Sequence, residues 1–428
     1  MQTDELYQLF LRHPEVETDT RKIKAGAIFF ALKGPNFNGN HYTSQALAAG
    51  ASYCVVDEAP TVPDERIIQV NDSLVALQSL AKKHRQQFDI PFIAVTGSNG
   101  KTTSKELIQE VLLQKFRSYT TAGNLNNHIG IPLTILRVKT DAEIAVIEMG
   151  ANHQGEIAAY CSYTLPTHGL ITNCGKAHLE GFGGEAGVRK GKGELFDYLR
   201  NNDGTAFIYR DYDYLTEMSA GIPHVVPYGT EHATYTGLVA NDHEFLTVKI
   251  TAGADIDLIS TKLIGGYNLP NILAAVTIGK TFDVEDNKIK TALEQYQPSN
   301  SRSQLLEKGT TKVILDAYNA NPTSMKAAIE NFARMDGDKK ILILGSMMEL
   351  GTESDAEHDG VVELIQKYAW ADVALAGTGY KNVPPGILRF DNSVAVRDWL
   401  TKQDIENAQI LVKGSRSMQM EKVLDGMI

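Results

Sequence analysis

An α/β fold in three domains is what the sequence predicts, and three observations carry the prediction. The chain has 428 residues, more than one core holds at roughly 100–200 residues per domain. A β-rich apolar run, a glycine turn and a helix-forming stretch follow one another around residue 97, well inside the chain. Residues 299–428 alternate short apolar runs with amphipathic helical stretches, as a doubly wound sheet does. The expected order is a small N-terminal α/β domain over 1–88, a central P-loop ATPase-like domain over 89–298 and a C-terminal Rossmann-like α/β domain over 299–428. The central sheet is expected to be mostly parallel with an antiparallel extension.

In the first domain, strands are expected over 27–32 and 53–56 and helices over 44–49 and 74–88. The segment Lys33-Gly34-Pro35-Asn36-Phe37-Asn38-Gly39-Asn40-His41 reads as a loop at a strand's carboxyl end. It is either a surface turn or a ligand loop, since α/β sheets bind at that end. Residues 86–91 form a linker into the next strand.

That strand, over 91–95, runs into Gly97-Ser98-Asn99-Gly100-Lys101-Thr102-Thr103, and a helix is expected over 105–115. Glycines let backbone NH groups approach an anion, the helix start adds partial positive charge, and Lys101 and Thr102 suit outer phosphates and Mg²⁺. The spacing lacks the first glycine of the common Walker A pattern, since Val95 stands in its place. Residues 121–132 read as a long polar loop whose amides, Asn124 and Asn127 among them, suit turn chemistry or a polar substrate. A strand over 144–147 ends on Glu148, placed to bind Mg²⁺ or to cap the following helix. After a strand over 169–172, His178 lies on the same edge, as a structural residue or as a metal or phosphate contact. Lys190 and Lys192 are read at the start of a helix over 195–200, where they oppose the dipole and imply an anion. Strands are expected at 205–209 and, in alternating pattern, within 235–259, and a helix at 272–282 preceded by Pro270. In the third domain, strands are expected at 313–315, 341–344, 373–376 and 410–412, with helices at 324–334, 357–368 and 394–401. The loop Asp316-Ala317-Tyr318-Asn319-Ala320-Asn321-Pro322 joins the same ligand edge.

Composition narrows the class. With 43% hydrophobic and 22% charged residues, the chain reads as an ordinary globular protein. No apolar run approaches the ~20 residues that cross a bilayer, and the polar start lacks a signal peptide's apolar core. No membrane insertion, a cytoplasmic location and a monomer are expected. Cys54, Cys161 and Cys174, widely spaced, suit neither a disulfide framework nor a zinc site and read as small buried residues. A net charge of -11 speaks against nucleic acid but not against small anions held by a local cluster of cations. Three domains around one nucleotide point to a transfer reaction, because hydrolysis needs no second binding domain.

The phosphate loop, the 121–132 segment, Glu148-Met149-Gly150-Ala151-Asn152, Ala177-His178-Leu179-Glu180-Gly181-Phe182-Gly183, Lys192-Gly193-Glu194, the 316–322 loop and Lys413-Gly414-Ser415-Arg416 together resemble the Mur ligases of peptidoglycan synthesis. Within that family the resemblance is greatest to members that join D-alanyl-D-alanine to UDP-N-acetylmuramoyl-tripeptide. It implies ATP-dependent amide synthesis through an acyl phosphate. It also implies that residues 97–103 cradle ATP, with Lys101 catalytic, and that Thr102 and Glu148 hold Mg²⁺. His178 falls at a second metal position, and Lys192 matches a lysine carbamylated in the family. Asn268 and Asn271 fall near adenine, with Asp316, Asn319 and Asn321 facing them and Arg302 on the phosphates. Thr20, Arg21, Gly34, Phe37, Gly39 and His41 match the region holding the UDP end, while Lys413 and Arg416 suit a substrate carboxylate. Ser346 departs from the aspartate expected there. The alternatives are a sibling adding the third peptide residue, a folylpolyglutamate-type synthetase and a nucleotide-dependent switch.

Overall fold

The structure is a computed structural model describing residues 2–60, 63–299 and 301–426. It has three α/β domains, each built on its own sheet, and a small separate hairpin. The N-terminal sheet has four parallel strands in chain order, Val16–Glu17, Ile28–Phe30, Tyr53–Val56 and Ile67–Gln69. The expected 33–41 loop is instead a hairpin of Lys33–Gly34 with Phe37–Asn38, followed by a 3-10 turn at Gly39–Tyr42.

The central sheet has nine strands, and Phe92–Thr96 lies inside it, between Ile144–Glu148 and His168–Ile171. The strands that follow it in the chain lie on both of its sides, so the connections change direction here, which is where an open α/β sheet leaves a crevice at its carboxyl edge. All five residues of Phe92–Thr96 and of Ile144–Glu148 are buried, as the near-continuous apolar runs of a parallel sheet require. The far side carries the expected antiparallel extension, Tyr235–Asn241 with Thr247–Ala252 with Leu258–Ser260. The C-terminal sheet has six strands, parallel except for the opening hairpin of Gln304–Lys308 with Thr311–Asp316.

Three local expectations are corrected. The helix after the phosphate loop spans Lys101–Leu112, starting four residues before the expected 105, so Lys101 and Thr102 lie in its first turn. Residues 121–132 are not all loop, because helix Gly130–Leu136 begins among them and Asn127 Oδ1 accepts from the Ile129 and Gly130 NH groups at its start. Lys190 and Lys192 do not start a helix but sit inside Glu185–Asn201, so the inferred opposition to the dipole does not arise. Glycines 187, 191 and 193 argue against helix by propensity. Packing overrides them: a Cβ at Gly191 would stand 2.5 Å from the Phe182 ring, so the glycine lets this helix lie against the preceding segment.

All three cysteines are buried and unpaired, and no helix among the described residues is long and apolar enough to cross a membrane. Gly97 turns the chain out of the central strand with φ +142, and a Cβ there would stand 2.0 Å from Thr172 Oγ1. Gly97→Ala is therefore expected to lower stability by about 1–3 kcal/mol, seen as a fall in the midpoint of urea denaturation.

Candidate active site

A cleft of about 730 Å³ opens on the carboxyl edge of the central sheet and is lined from both the central and C-terminal domains. Lys101, Thr102, Glu148 and His178 all line it. Its floor is the phosphate loop, which neighbouring strand ends hold in place. Asn173 accepts from the Ser98 NH through its carbonyl (2.9 Å) and from the Asn99 NH through its side chain (3.0 Å). Thr172 Oγ1 donates to the Asn99 carbonyl at 2.6 Å, and Thr96 Oγ1 donates to the Met149 carbonyl at 2.7 Å. The helix begins after Gly100 (φ 78) with no side-chain cap, so its positive end faces the cleft. Ser98, Asn99, Gly100 and Thr103 line the cleft with it, whereas Gly97 only makes the turn.

Lys101 Nζ folds back on the loop, donating to the carbonyls of Gly97 (2.6 Å) and Ser98 (3.0 Å). Burial pushes this ammonium down to about 8; Glu148 opposes that shift and Arg302 adds to it. Glu148 is only 1% exposed. Its Oε1 accepts from Thr102 Oγ1 at 3.1 Å and from Asn126 Nδ2 at 2.7 Å, while Oε2 is buried with no partner among the described residues. It does not cap the next helix, Glu156–Thr164, where Glu156 serves the NH groups of Asn152 and His153 itself. A buried carboxylate oxygen without a partner, beside a hydroxyl, fits a cation. Among the described residues no cluster of three or more His, Cys, Asp or Glu could hold a metal. One carboxylate and one hydroxyl fit Mg²⁺, which keeps few protein ligands and completes its octahedron with phosphate oxygens and water.

His178 adopts φ 53, uncommon for a residue with a side chain. Its Nδ1 meets the Glu349 carboxylate of the C-terminal domain in a short contact. Lys192 is buried, donates to the Ala151 carbonyl at 2.9 Å and lies 4.8 Å from the Phe182 ring centroid. Burial pushes its ammonium down to about 7, and repulsion from Lys101 adds to this.

Asn268 and Asn271 line the cleft with their amides largely engaged. Ser104 Oγ donates to Asn271 Oδ1 (2.9 Å), Asn271 Nδ2 to Asn268 Oδ1 (2.8 Å) and Asn268 Nδ2 to the Ile264 carbonyl (2.9 Å). From the C-terminal domain, Asn321 Nδ2 donates to Asn99 Oδ1 at 2.7 Å, tying the 316–322 loop to the phosphate loop. Asn319 lines the same wall. The Arg302 guanidinium stacks 3.6 Å from the Tyr318 ring centroid, its Nε without a partner among the described residues. Asp316 and Lys413 are register partners on adjacent strands and pair at 2.5 Å, so the Lys413 charge is already balanced. Arg416 is exposed, 3.5 Å from Glu421, and does not line the cleft. The two cations therefore do not form one clamp here.

Asn127 lines the cleft and Asn124 does not. In the N-terminal domain His41 lines a separate cavity of about 730 Å³; Thr20, Arg21, Gly34, Phe37 and Gly39 do not. Arg21 pairs with Asp19 at 2.8 Å, and Phe37 is exposed. Ser346 is buried, donating to the Ala376 carbonyl (3.1 Å) and accepting from the Gly379 NH (3.1 Å), a role inside its own sheet. The sequence predicts no individual role for Asn173, Tyr318 or Glu349. The first two sit in segments whose strand-end position marks them, whereas Glu349 has no local signal.

Family models match along the chain: the Mur ligase family catalytic domain over residues 14–85, the Mur ligase middle domain over 95–279 and the Mur ligase glutamate ligase domain over 301–387. The UDP-N-acetylmuramoyl-tripeptide–D-alanyl-D-alanine ligase of Escherichia coli is 37% identical over 431 residues, 96% of this chain and 92% of that one. The crystal structure of MurF from Acinetobacter baumannii superposes with a TM-score of 0.90 at 27% identity, covering 100% of this chain and 98% of that one. The MurF ligase of Thermotoga maritima in complex with ADP gives 0.85 at 27% identity, covering 97% of each chain. With three domain models in register and full-length relatives above 30% identity, this chain belongs to the Mur ligase family.

Proposed function

We propose that the protein joins D-alanyl-D-alanine to UDP-N-acetylmuramoyl-tripeptide, converting ATP to ADP and phosphate, as a step in peptidoglycan precursor synthesis. The observation that carries this reading is the convergence of Lys101, Glu148 and His178 in one cleft faced by the C-terminal domain, in a chain similar over its length to ligases of that name. In the reaction, an oxygen of the tripeptide carboxylate attacks the γ-phosphorus and the bond to the ADP oxygen breaks. The amine of D-alanyl-D-alanine then attacks the acyl carbon, loses a proton, and phosphate leaves as the amide forms.

Both substrates of the first step are anions, so the barrier is largely electrostatic. The uncapped helix start and loop NH groups receive the phosphates, and Lys101 turns from the loop carbonyls toward the outer ones. Thr102 and Glu148 would hold Mg²⁺, with His178 at a second metal position, and the ion would offset phosphate charge. Arg302 adds a cation from the C-terminal side, while Asn268, Asn271, Asp316, Asn319 and Asn321 border the base. Lys192, with its ammonium pushed down to about 7, becomes increasingly neutral above that pH. Neutral amine is the form that adds CO₂, losing a proton to give a carbamate. Thr20, Arg21 and the 34–41 segment are assigned to the UDP end, and Asn124 and Asn127 to the peptide. The reading includes a cytoplasmic monomer, divided near residues 88 and 298, that works without nucleic acid or membrane insertion.

The test is to supply ATP, Mg²⁺ and UDP-muramyl tripeptide with and without D-alanyl-D-alanine and weigh the product; a tripeptide that gains no dipeptide mass refutes the reading. Lys101→Ala is expected to cut ADP formation by at least about 10²-fold with an unchanged circular dichroism spectrum, and normal turnover would remove the lysine from the reaction. With ¹³C-labelled bicarbonate, wild type should show a carbamate carbon resonance that Lys192→Arg lacks.

A further inference from the structure

Among the contacts that cross the domain boundary to side chains of the site, one reaches His178. His178 belongs to the central domain, and its Nδ1 is in short contact with Oε2 of Glu349 in the C-terminal domain. The partner atom Oε2 belongs to a carboxylate, which offers only acceptors. The proton in the bond must then sit on the histidine's Nδ1, which fixes the ring's tautomer and leaves Nε2 as the atom with a free lone pair.

The backbone supports the same pairing. His178 and Glu349 both adopt left-handed conformations, φ 53 and 62, that side-chain-bearing residues rarely hold. The Glu180 NH donates to the Glu349 carbonyl at 3.3 Å, so the two segments meet through main chain as well as side chains. Glu349 does not line the cleft, whereas His178 does. Docking itself has other supports close by: Lys176 Nζ pairs with Glu357 at 2.6 Å, and the Lys176 NH donates to Thr323 Oγ1 at 3.1 Å.

We propose that Glu349 is a positioning residue, holding the His178 ring by Nδ1 so that Nε2 is presented to the cleft only when the C-terminal domain is docked. This rests on the reading of the cleft as the nucleotide and metal site. A carboxylate behind a ligating histidine fixes ring orientation and raises ligand basicity. Here that carboxylate arrives on a different domain, so completion of the site is tied to docking.

The test uses the full chain with Glu349→Ala, Glu349→Gln and, as a docking control, Glu357→Gln. Glu349→Ala is expected to lower turnover about 10–100-fold, the range for losing an outer-shell partner of a ligand, and to raise the Mg²⁺ concentration giving half-maximal rate. Glu349→Gln keeps an acceptor oxygen and should recover most of the loss. Nitrogen-15 NMR of histidine-labelled, nucleotide-free protein, with the signal assigned through His178→Gln, reads the ring without any turnover. Wild type and Glu349→Gln should show a protonated Nδ1 and an unprotonated Nε2, Glu349→Ala an average of the two tautomers, and Glu357→Gln the wild-type pattern. An unchanged His178 signal in Glu349→Ala, or an equal change in Glu357→Gln, would overturn the assignment in favour of plain domain docking. Wild type that yields no product would overturn the ligase reading, and the NMR comparison would still decide what Glu349 does to His178.

Discussion

The helix Lys101–Leu112 starts with no side chain satisfying its first turn, and this open positive end is the constraint that the site depends on. A capped start would satisfy those NH groups internally and have little to offer an anion. The loop before it cannot collapse, because Thr96, Thr172 and Asn173, from the ends of two adjacent strands, fix it by hydrogen bonds. The sheet order explains why those ends meet. With Phe92–Thr96 between Ile144–Glu148 and His168–Ile171, Gly97, Glu148 and Asn173 emerge side by side on one edge.

Charge in this edge is unbalanced in a directed way. Lys101 and Lys192 both lose part of their affinity for a proton to burial and repel one another. Glu148 keeps one oxygen bound by Thr102 and Asn126 and the other unpartnered. Isolated buried charges of this kind are costly unless a ligand completes them. Lys413, by contrast, is neutralised by Asp316 across a strand pair and adds little net field. The site thus separates cations left for a ligand from cations already used by the fold.

The C-terminal domain contributes in two ways. Asn321 meets Asn99 and the Arg302–Tyr318 stack closes one wall. Glu349 and Glu357 reach residues 176–178, just beyond a central strand.

Local spacing determined much of this from sequence. A strand, a glycine turn and Lys-Thr-Thr opening a helix specify an anion site because NH geometry and dipole are set within ten residues, and an acid closing a buried strand marks Glu148 in the same way. The β-α alternation of residues 299–428 likewise gave a parallel sheet, since periodicity is a local property. What only the tertiary structure decided depends on partners far apart in the chain. The helix Glu185–Asn201 runs through three glycines, two of which, Gly187 and Gly191, pack against Phe182, and Asn268 and Asn271 are bound up with Ser104 from another helix. Glu349 reaches His178 across 171 residues of sequence. No propensity or motif encodes such contacts, because they exist only once separate domains have been brought to the same edge.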